Sequence, residues 1–128
     1  VLLGSWYEGC PLTILEAMSI GTTWLATPEC GSVVDQAGGF VADLELFPLL
    51  LTEIINDESV KAALGQLGKR HWEACFSPEA VLPAFIELLE NDGAHMPDLR
   101  MPAQLRAENA TLCSAVKDRI AFNYGIFL

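Results

Sequence analysis

Glu8 and Glu16 are separated by seven residues in the string Glu8-Gly9-Cys10-Pro11-Leu12-Thr13-Ile14-Leu15-Glu16-Ala17-Met18. A carboxylate only accepts hydrogen bonds, and its two oxygens can meet two neighbouring hydroxyl groups. Between the acids the chain turns into a helix. The first turn of a helix offers N–H groups without intrahelical partners and the positive end of the helix dipole, which suits phosphate. Neither acid carries this reading alone. A lone Glu8 reads as a solvated loop residue, and a lone Glu16 as a helix-surface residue in an ion pair. Cys10 has no base near it in sequence to make it a nucleophile, so it reads as a spacer whose N–H matters more than its thiol.

Local signals define the elements that hold these residues. Gly9 lets the backbone turn tightly or come close to a ligand. Pro11 fits the first helical position, and Gly21 is a good C-terminal stop, so the spacing predicts a helix over 11–20. Leu12, Ile14, Leu15, Ala17, Met18 and Ile20 make that helix apolar almost all round, which predicts burial. Glu16 would then lie on a largely buried element, where a carboxylate must find donors or lose its charge. It stands roughly 6 Å along the helix axis from Leu12.

Val1-Leu2-Leu3 reads as the end of a buried strand. A second strand covers 23–27 and stops at Pro28, and a third covers 39–42. Strand, helix, strand at this spacing is a βαβ unit, so the fold class is α/β with a partial Rossmann-like parallel sheet covered by helices. The second half reads as helical. Asp43 is expected to cap a helix to Asn56, and Asp57 another to Cys75 with Val60, Leu64, Leu67, His71 and Cys75 on one face. His71 is expected to be a satisfied core or boundary histidine. Ser77-Pro78 starts a helix with Val81, Leu82, Phe85, Ile86 and Leu89 on one face, kinked at Pro83 and ended by Asn91-Asp92-Gly93.

Residues 92–102, with Pro97 and Pro102, read as a linker. Residues 103–128 read as a tail, polar and weakly patterned, that forms one helix or begins another segment. His95, in the linker, is given no role. Trp6, Tyr7, Trp24 and Trp72 read as core or cleft wall, with Tyr7 the best placed of them to stack on a ligand.

Bulk properties narrow the function classes. The 128 residues suffice for one domain with a core, not two. A hydrophobic content of 52% marks a folded chain, and a net charge of −10 argues against nucleic acid or an anionic membrane as partner. The most apolar stretch, 40–55, is interrupted by Asp43, Glu45, Pro48 and Glu53, so no span crosses a membrane. Cys10, Cys30, Cys75 and Cys113 lack metal-ligand spacing, so no metal is expected. Scattered thiols suggest a reducing compartment, and no signal peptide is evident, so a cytoplasmic location is expected. The opening within an apolar strand, without Met, reads as a cut from something larger.

The pattern Ser5-x-x-Glu8-Gly9-x-Pro11-(x4)-Glu16-Ala17-Met18-x-x-Gly21 resembles the E-x7-E signature of retaining glycosyltransferases of the GT-B fold, family 4 or group 1 type. Trp24-Leu25-Ala26-Thr27, Ala37-Gly38-Gly39-Phe40-Val41 and Phe76-Ser77 are similar to later parts of the same pattern, so the resemblance covers about residues 1–91. It implies the latter part of a C-terminal nucleotide-sugar-binding domain, whose N-terminal partner domain lies outside this chain. Glu8, as the catalytic-site carboxylate, would receive hydroxyls of the donor sugar, and Glu16 those of the ribose. Main-chain N–H groups near Gly9, Cys10 and Leu12, beside Pro11, would face the sugar and diphosphate. No cofactor is implied, only a nucleotide-diphosphate sugar as donor. The acceptor (carbohydrate, lipid or protein) is left open, and any membrane association would be peripheral, through the absent domain.

The chain departs from the family at several points. Thr23-Trp24 replaces the usual Pro-Val, and Gly4 stands where Pro often precedes Ser5. The loop after Glu29 is short, with only Gly31 and Asp35 as rough matches, and the basic pair that neutralises diphosphate lies upstream in the family. These residues alone are therefore expected to be inactive. The alternative is a non-catalytic α/β binding or assembly module derived from that fold, with exposed apolar surface that lets it self-associate.

Overall fold

Strands β1 (Leu2–Leu3), β2 (Trp24–Ala26) and β3 (Gly39–Val41) lie side by side in that order, all parallel. The structure is a computed structural model and describes residues 1–30, 37–90 and 100–127. Helix α1 (Leu12–Ser19) connects β1 to β2. After β3 come a 3-10 turn (Leu44–Leu46), then α2 (Phe47–Asn56), α3 (Glu58–Cys75), α4 (Pro78–Glu90) and α5 (Ala103–Tyr124). This is the α/β, partial Rossmann-like arrangement that the sequence predicts.

The alternation of side chains along a strand explains the layers. All three residues of β2 are buried, as expected of a parallel strand covered on both faces. Leu25 packs with Phe40, Leu50, Ile54, Leu64, Val116 and Ile120 on the α2 and α5 side. Trp24 and Ala26 point the other way, to Ile14, Met18 and Cys30 beside α1. Each fully buried aliphatic side chain contributes about 1.5–3 kcal/mol relative to exposure.

Several local signals act as read. Asp57 Oδ1 accepts the N–H groups of Ser59 and Val60, both at 3.1 Å, and so caps α3. Ser77 Oγ accepts the Ala80 N–H at 3.2 Å at the start of α4. Gly21 takes φ +71 at the end of α1, where its N–H donates to Met18 O and that of Thr22 to Ala17 O, a Schellman stop. There α1 also meets α3 at close range: a Cβ on Gly65 would lie 2.0 Å from Gly21 O. On α3, Leu64, Leu67, His71 and Cys75 are buried. His71 Nδ1 accepts the Ala37 N–H at 3.1 Å, and burial, helped by the Arg106 charge, lowers the imidazole to about 4.

Other expectations are corrected. Pro11 is the residue before α1 rather than its first, with extended ψ of 100°. Asp43 makes no side-chain cap, because the chain first forms the 3-10 turn and α2 starts only at Phe47. Pro48 causes this: without an N–H it is at home in a first turn and not further in. α1 buries Ile14, Ala17 and Met18, while Leu12, Glu16 and Ile20, one stripe at i, i+4 and i+8, are exposed. The helix is therefore not buried all round, and Glu16 is in water and needs no internal donor. α4 spans Pro78–Glu90 with Pro83 inside it, and Leu82, Phe85, Ile86 and Leu89 are all more than half exposed. α5 packs on α2 and α3 and buries Leu105, Val116 and Ile120. Asn91-Asp92-Gly93, His95, Pro97 and the linker as far as residue 99 lie outside the described residues, as do Gly31 and Asp35.

Candidate functional site

A parallel sheet delivers its loops to one end, the carboxyl ends of the strands, which is where open α/β sheets hold ligands. The loop after β1 carries Ser5, Trp6, Tyr7 and Glu8 there, and β2 delivers Thr27, Pro28 and Glu29 beside it. Hydrogen bonds join the two segments. The buried Thr27, 8% exposed, donates its hydroxyl to Ser5 O at 2.8 Å. Ser5 Oγ donates to Glu8 Oε1 at 2.9 Å, and the Glu8 N–H donates to Glu29 O at 3.1 Å. Behind them, Cys30 lies 3.6 Å from Thr27 Oγ1 and donates its thiol to Leu3 O at 3.7 Å. The half-buried Glu8 is thus held through side chain and main chain.

Gly9 and Cys10 are exposed, Pro11 is buried, and α1 starts at Leu12. The cap residue, Pro11, makes no side-chain bond to that helix start, and the first turn holds no acid. A Cβ built on Gly9 would meet nothing within 4 Å, and Gly9 is not in the left-handed region, so nothing inside the chain demands glycine there. Glu16 lies on the exposed stripe of α1 between Leu12 and Ile20. The structure thus brings Glu8 to the loop that feeds α1 and places Glu16 four residues beyond Leu12 on the outer face. Neither acid lines the cavities of about 420, 270 and 250 Å³.

Trp6 and Tyr7 are 94% and 85% exposed. A core reading holds for Trp24, at 1%, and not for these two. The 420 Å³ cavity lies elsewhere, against Val1, Leu2 and Thr23 near the amino ends of the strands, with Leu51, Ile54 and Ile55 from α2. Thr27 and Glu29 were not legible as positioning residues, since their partners are more than 20 positions away and no local motif marks them. Charge is equally uneven: the first basic residue in the chain is Lys61. Among the described residues, no three His, Cys, Asp or Glu side chains group so as to hold a metal ion, and no helix is long and apolar enough to cross a membrane.

Over 90 residues, 70% of its length, the chain is 31% identical to the lipopolysaccharide core biosynthesis glycosyltransferase LpsE of Rhizobium meliloti (strain 1021). The matched part is 24% of that relative's length, so the chain spans about a quarter of the protein it is similar to. No family model and no solved structure matches it. The likeness supports glycosyl transfer as the class of chemistry to which this chain is related.

Proposed function

We propose that this chain is the donor-binding part of a larger glycosyltransferase of the GT-B type, moving a sugar from a nucleotide diphosphate to an acceptor with retention of configuration. Glu8 accepts hydrogen bonds from hydroxyls of the donor sugar, and Glu16 from those of the ribose. The main chain near Gly9, Cys10 and Leu12, with Pro11 fixing the helix entry, faces sugar and diphosphate without a metal. One observation supports this reading: Ser5 holds Glu8 at the carboxyl edge of a parallel sheet, directly before a helix start whose cap residue, Pro11, has no side-chain acceptor to occupy it. The likeness to a glycosyltransferase supports the same conclusion. A ligand with hydroxyls at one end and phosphates at the other fits a fixed carboxylate beside such a helix start.

The test is calorimetric titration of nucleotide sugars into the longer protein, with Glu8→Gln and Glu16→Gln as variants. Each variant should weaken donor binding by about 10- to 100-fold, the loss of a charge-assisted hydrogen bond. Unchanged affinity in both removes the assignment. A second reading, an assembly module of the same fold, draws on the exposed Leu82, Phe85, Ile86 and Leu89 of α4. It predicts concentration-dependent dimers by light scattering and no nucleotide-sugar binding at all.

A further inference from the structure

Strand β1 ends at Leu3, yet the segment that follows stays tied to the end of β2 as far as Glu8. The Thr27 N–H donates to Leu3 O at 3.1 Å, the last rung of the backbone ladder. Two residues on, the Thr27 hydroxyl donates to Ser5 O at 2.8 Å. The Glu8 N–H then donates to Glu29 O at 3.1 Å. The first and last of these rungs are main chain on both sides, so residues of many types can form them. The rung at Ser5 requires a side-chain donor at position 27. We propose that Thr27 is a positioning residue for donor binding: its hydroxyl fixes the Ser5 backbone, and Ser5 in turn holds the Glu8 carboxylate where the donor sugar meets it. The inference rests on the donor-binding reading and adds to it a buried residue on another strand that acts only through Ser5.

The hydrogen bonds available to Thr27 leave its proton one destination. A hydroxyl has a single proton to give. Thr27 is buried, and the Cys30 sulfur, 3.6 Å from Thr27 Oγ1, is a weak acceptor beside a carbonyl at 2.8 Å. The Cys30 thiol donates to Leu3 O at 3.7 Å. The Thr27 proton therefore goes to Ser5 O. Valine has the shape of threonine and no proton to give, whereas serine keeps the proton and loses only a methyl group.

The step from Ser5 to Glu8 is within one residue. Holding the Ser5 carbonyl fixes the backbone from which the Ser5 hydroxyl departs, and that hydroxyl donates to Glu8 Oε1 at 2.9 Å. A free glutamate gives up rotamer freedom when a ligand binds, and one already tied to Ser5 has less to lose. A displacement of about 1 Å at a binding group can cost as much as about 100-fold. Loss of the Thr27 hydroxyl is therefore expected to weaken donor binding about tenfold, between a small entropic loss and that limit.

The experiment is a calorimetric titration of the longer protein with UDP-glucose, UDP-galactose and GDP-mannose. It compares Thr27→Val and Thr27→Ser, each with Glu8 kept and each combined with Glu8→Ala. Thr27→Val should weaken binding of at least one probe about tenfold with Glu8 present, and by no more than about twofold beside Glu8→Ala. Thr27→Ser should bind within about twofold of the parent. A residue that only supports the strand end gives the same loss in both backgrounds, and that result overturns the proposal. So does unchanged affinity in Thr27→Val, or a loss in Thr27→Ser equal to that in Thr27→Val. Urea midpoints report the fold of each variant, and Thr27→Ala takes the place of Thr27→Val if that variant loses its cooperative transition. Carbon-13 spectra of the full chain read the same link without any donor. Thr27→Val should move the Glu8 side-chain carboxyl signal, as Ser5→Ala does, and Thr27→Ser should not. An unmoved signal in Thr27→Val overturns the proposal. Unchanged affinity in Glu8→Ala, or no binding of the three nucleotide sugars, overturns the donor reading and with it the donor role of Thr27, while the carboxyl signal separately decides whether Thr27 holds Glu8.

Discussion

The helical second half and the loop-bearing first half of the chain treat their polar groups in opposite ways. In α2, α3 and α5 several of them are matched internally. Arg119 stands 2.6 Å from Glu53 and 2.7 Å from Asp57, and Ser59 together with Arg119 holds the Asp57 carboxyl well below the usual carboxylate range. Asn109 accepts the Gly38 N–H at 3.1 Å, and His71 accepts that of Ala37. At the strand ends the balance reverses. Glu29, Asp43 and Glu45 are exposed acids, as is Glu16 on the outer stripe of α1, and Trp6 and Tyr7 are exposed aromatics. Groups that the fold consumes specify structure; groups that it leaves over are those available for binding. The contrast is open to direct test, because substitutions in the first class should change stability and those in the second should change binding.

The largest effect is expected at the crossing of α1 and α3. Gly65→Ala puts a Cβ 2.0 Å from Gly21 O, a backbone atom that cannot step aside. Overpacking of this kind should cost about 3 kcal/mol or more, read as a lowered urea midpoint or loss of a cooperative transition. Gly68→Ala sharpens the test: its Cβ would stand 3.3 Å from Ala37 O, so the cost should be nearer about 1 kcal/mol. Equal gains in stability at the two positions would show that helix propensity, which favours Ala over Gly, rather than close approach decides both.

A smaller, pH-dependent effect is expected at His71. The folded chain holds the ring neutral down to about pH 4, whereas an unfolded histidine binds its proton below about 6.5. The folded value is depressed, so the contribution is fully present above pH 6.5 and is lost as pH falls towards 4. A fully buried ring makes this about 2–3 kcal/mol. Urea midpoints of the wild type and of His71→Gln should therefore converge or cross over this window. The difference between the two curves removes the carboxylates common to both. A constant difference from pH 7 to 4 would mean that the ring is not held neutral.

How far the sequence carried the fold follows the same division. Asp57, Ser77-Pro78 and Gly21 were legible because a cap or a stop acts within four residues of itself. The apolar stripe of α3 was legible because one face is buried along the whole helix. α5 was only faintly legible, since polar Asn109 and Arg119 perform part of its docking and its buried residues are few. At the candidate site, Glu8 and Glu16 were legible as a spaced pair. That Glu16 is exposed was not, because an apolar composition does not say which stripe of a short helix the fold will cover. Thr27 and Glu29, which brace Ser5 and Glu8 across 22 and 21 positions, leave no mark in a local window.

The smallest effect on stability, and the sharpest on function, is expected at Gly9. Replacing a glycine is destabilising when the backbone is left-handed or a neighbour touches the missing Cβ. Gly9 meets neither condition, for a Cβ there has open space within 4 Å and φ is not in the left-handed region. Gly9→Ala should accordingly shift folding free energy by no more than about 0.5 kcal/mol, or raise it slightly through a stiffer unfolded chain. If the donor lies against the start of α1, the same methyl intrudes on the ligand rather than on the protein. Nucleotide-sugar affinity should then fall by about tenfold or more with the urea midpoint unmoved. Gly65→Ala gives the reverse pattern, a large loss of stability at a residue packed against Gly21. Should Gly9→Ala bind donor as well as the parent chain does, the loop before α1 is not where the sugar sits, and the leftover groups at the strand ends need another ligand.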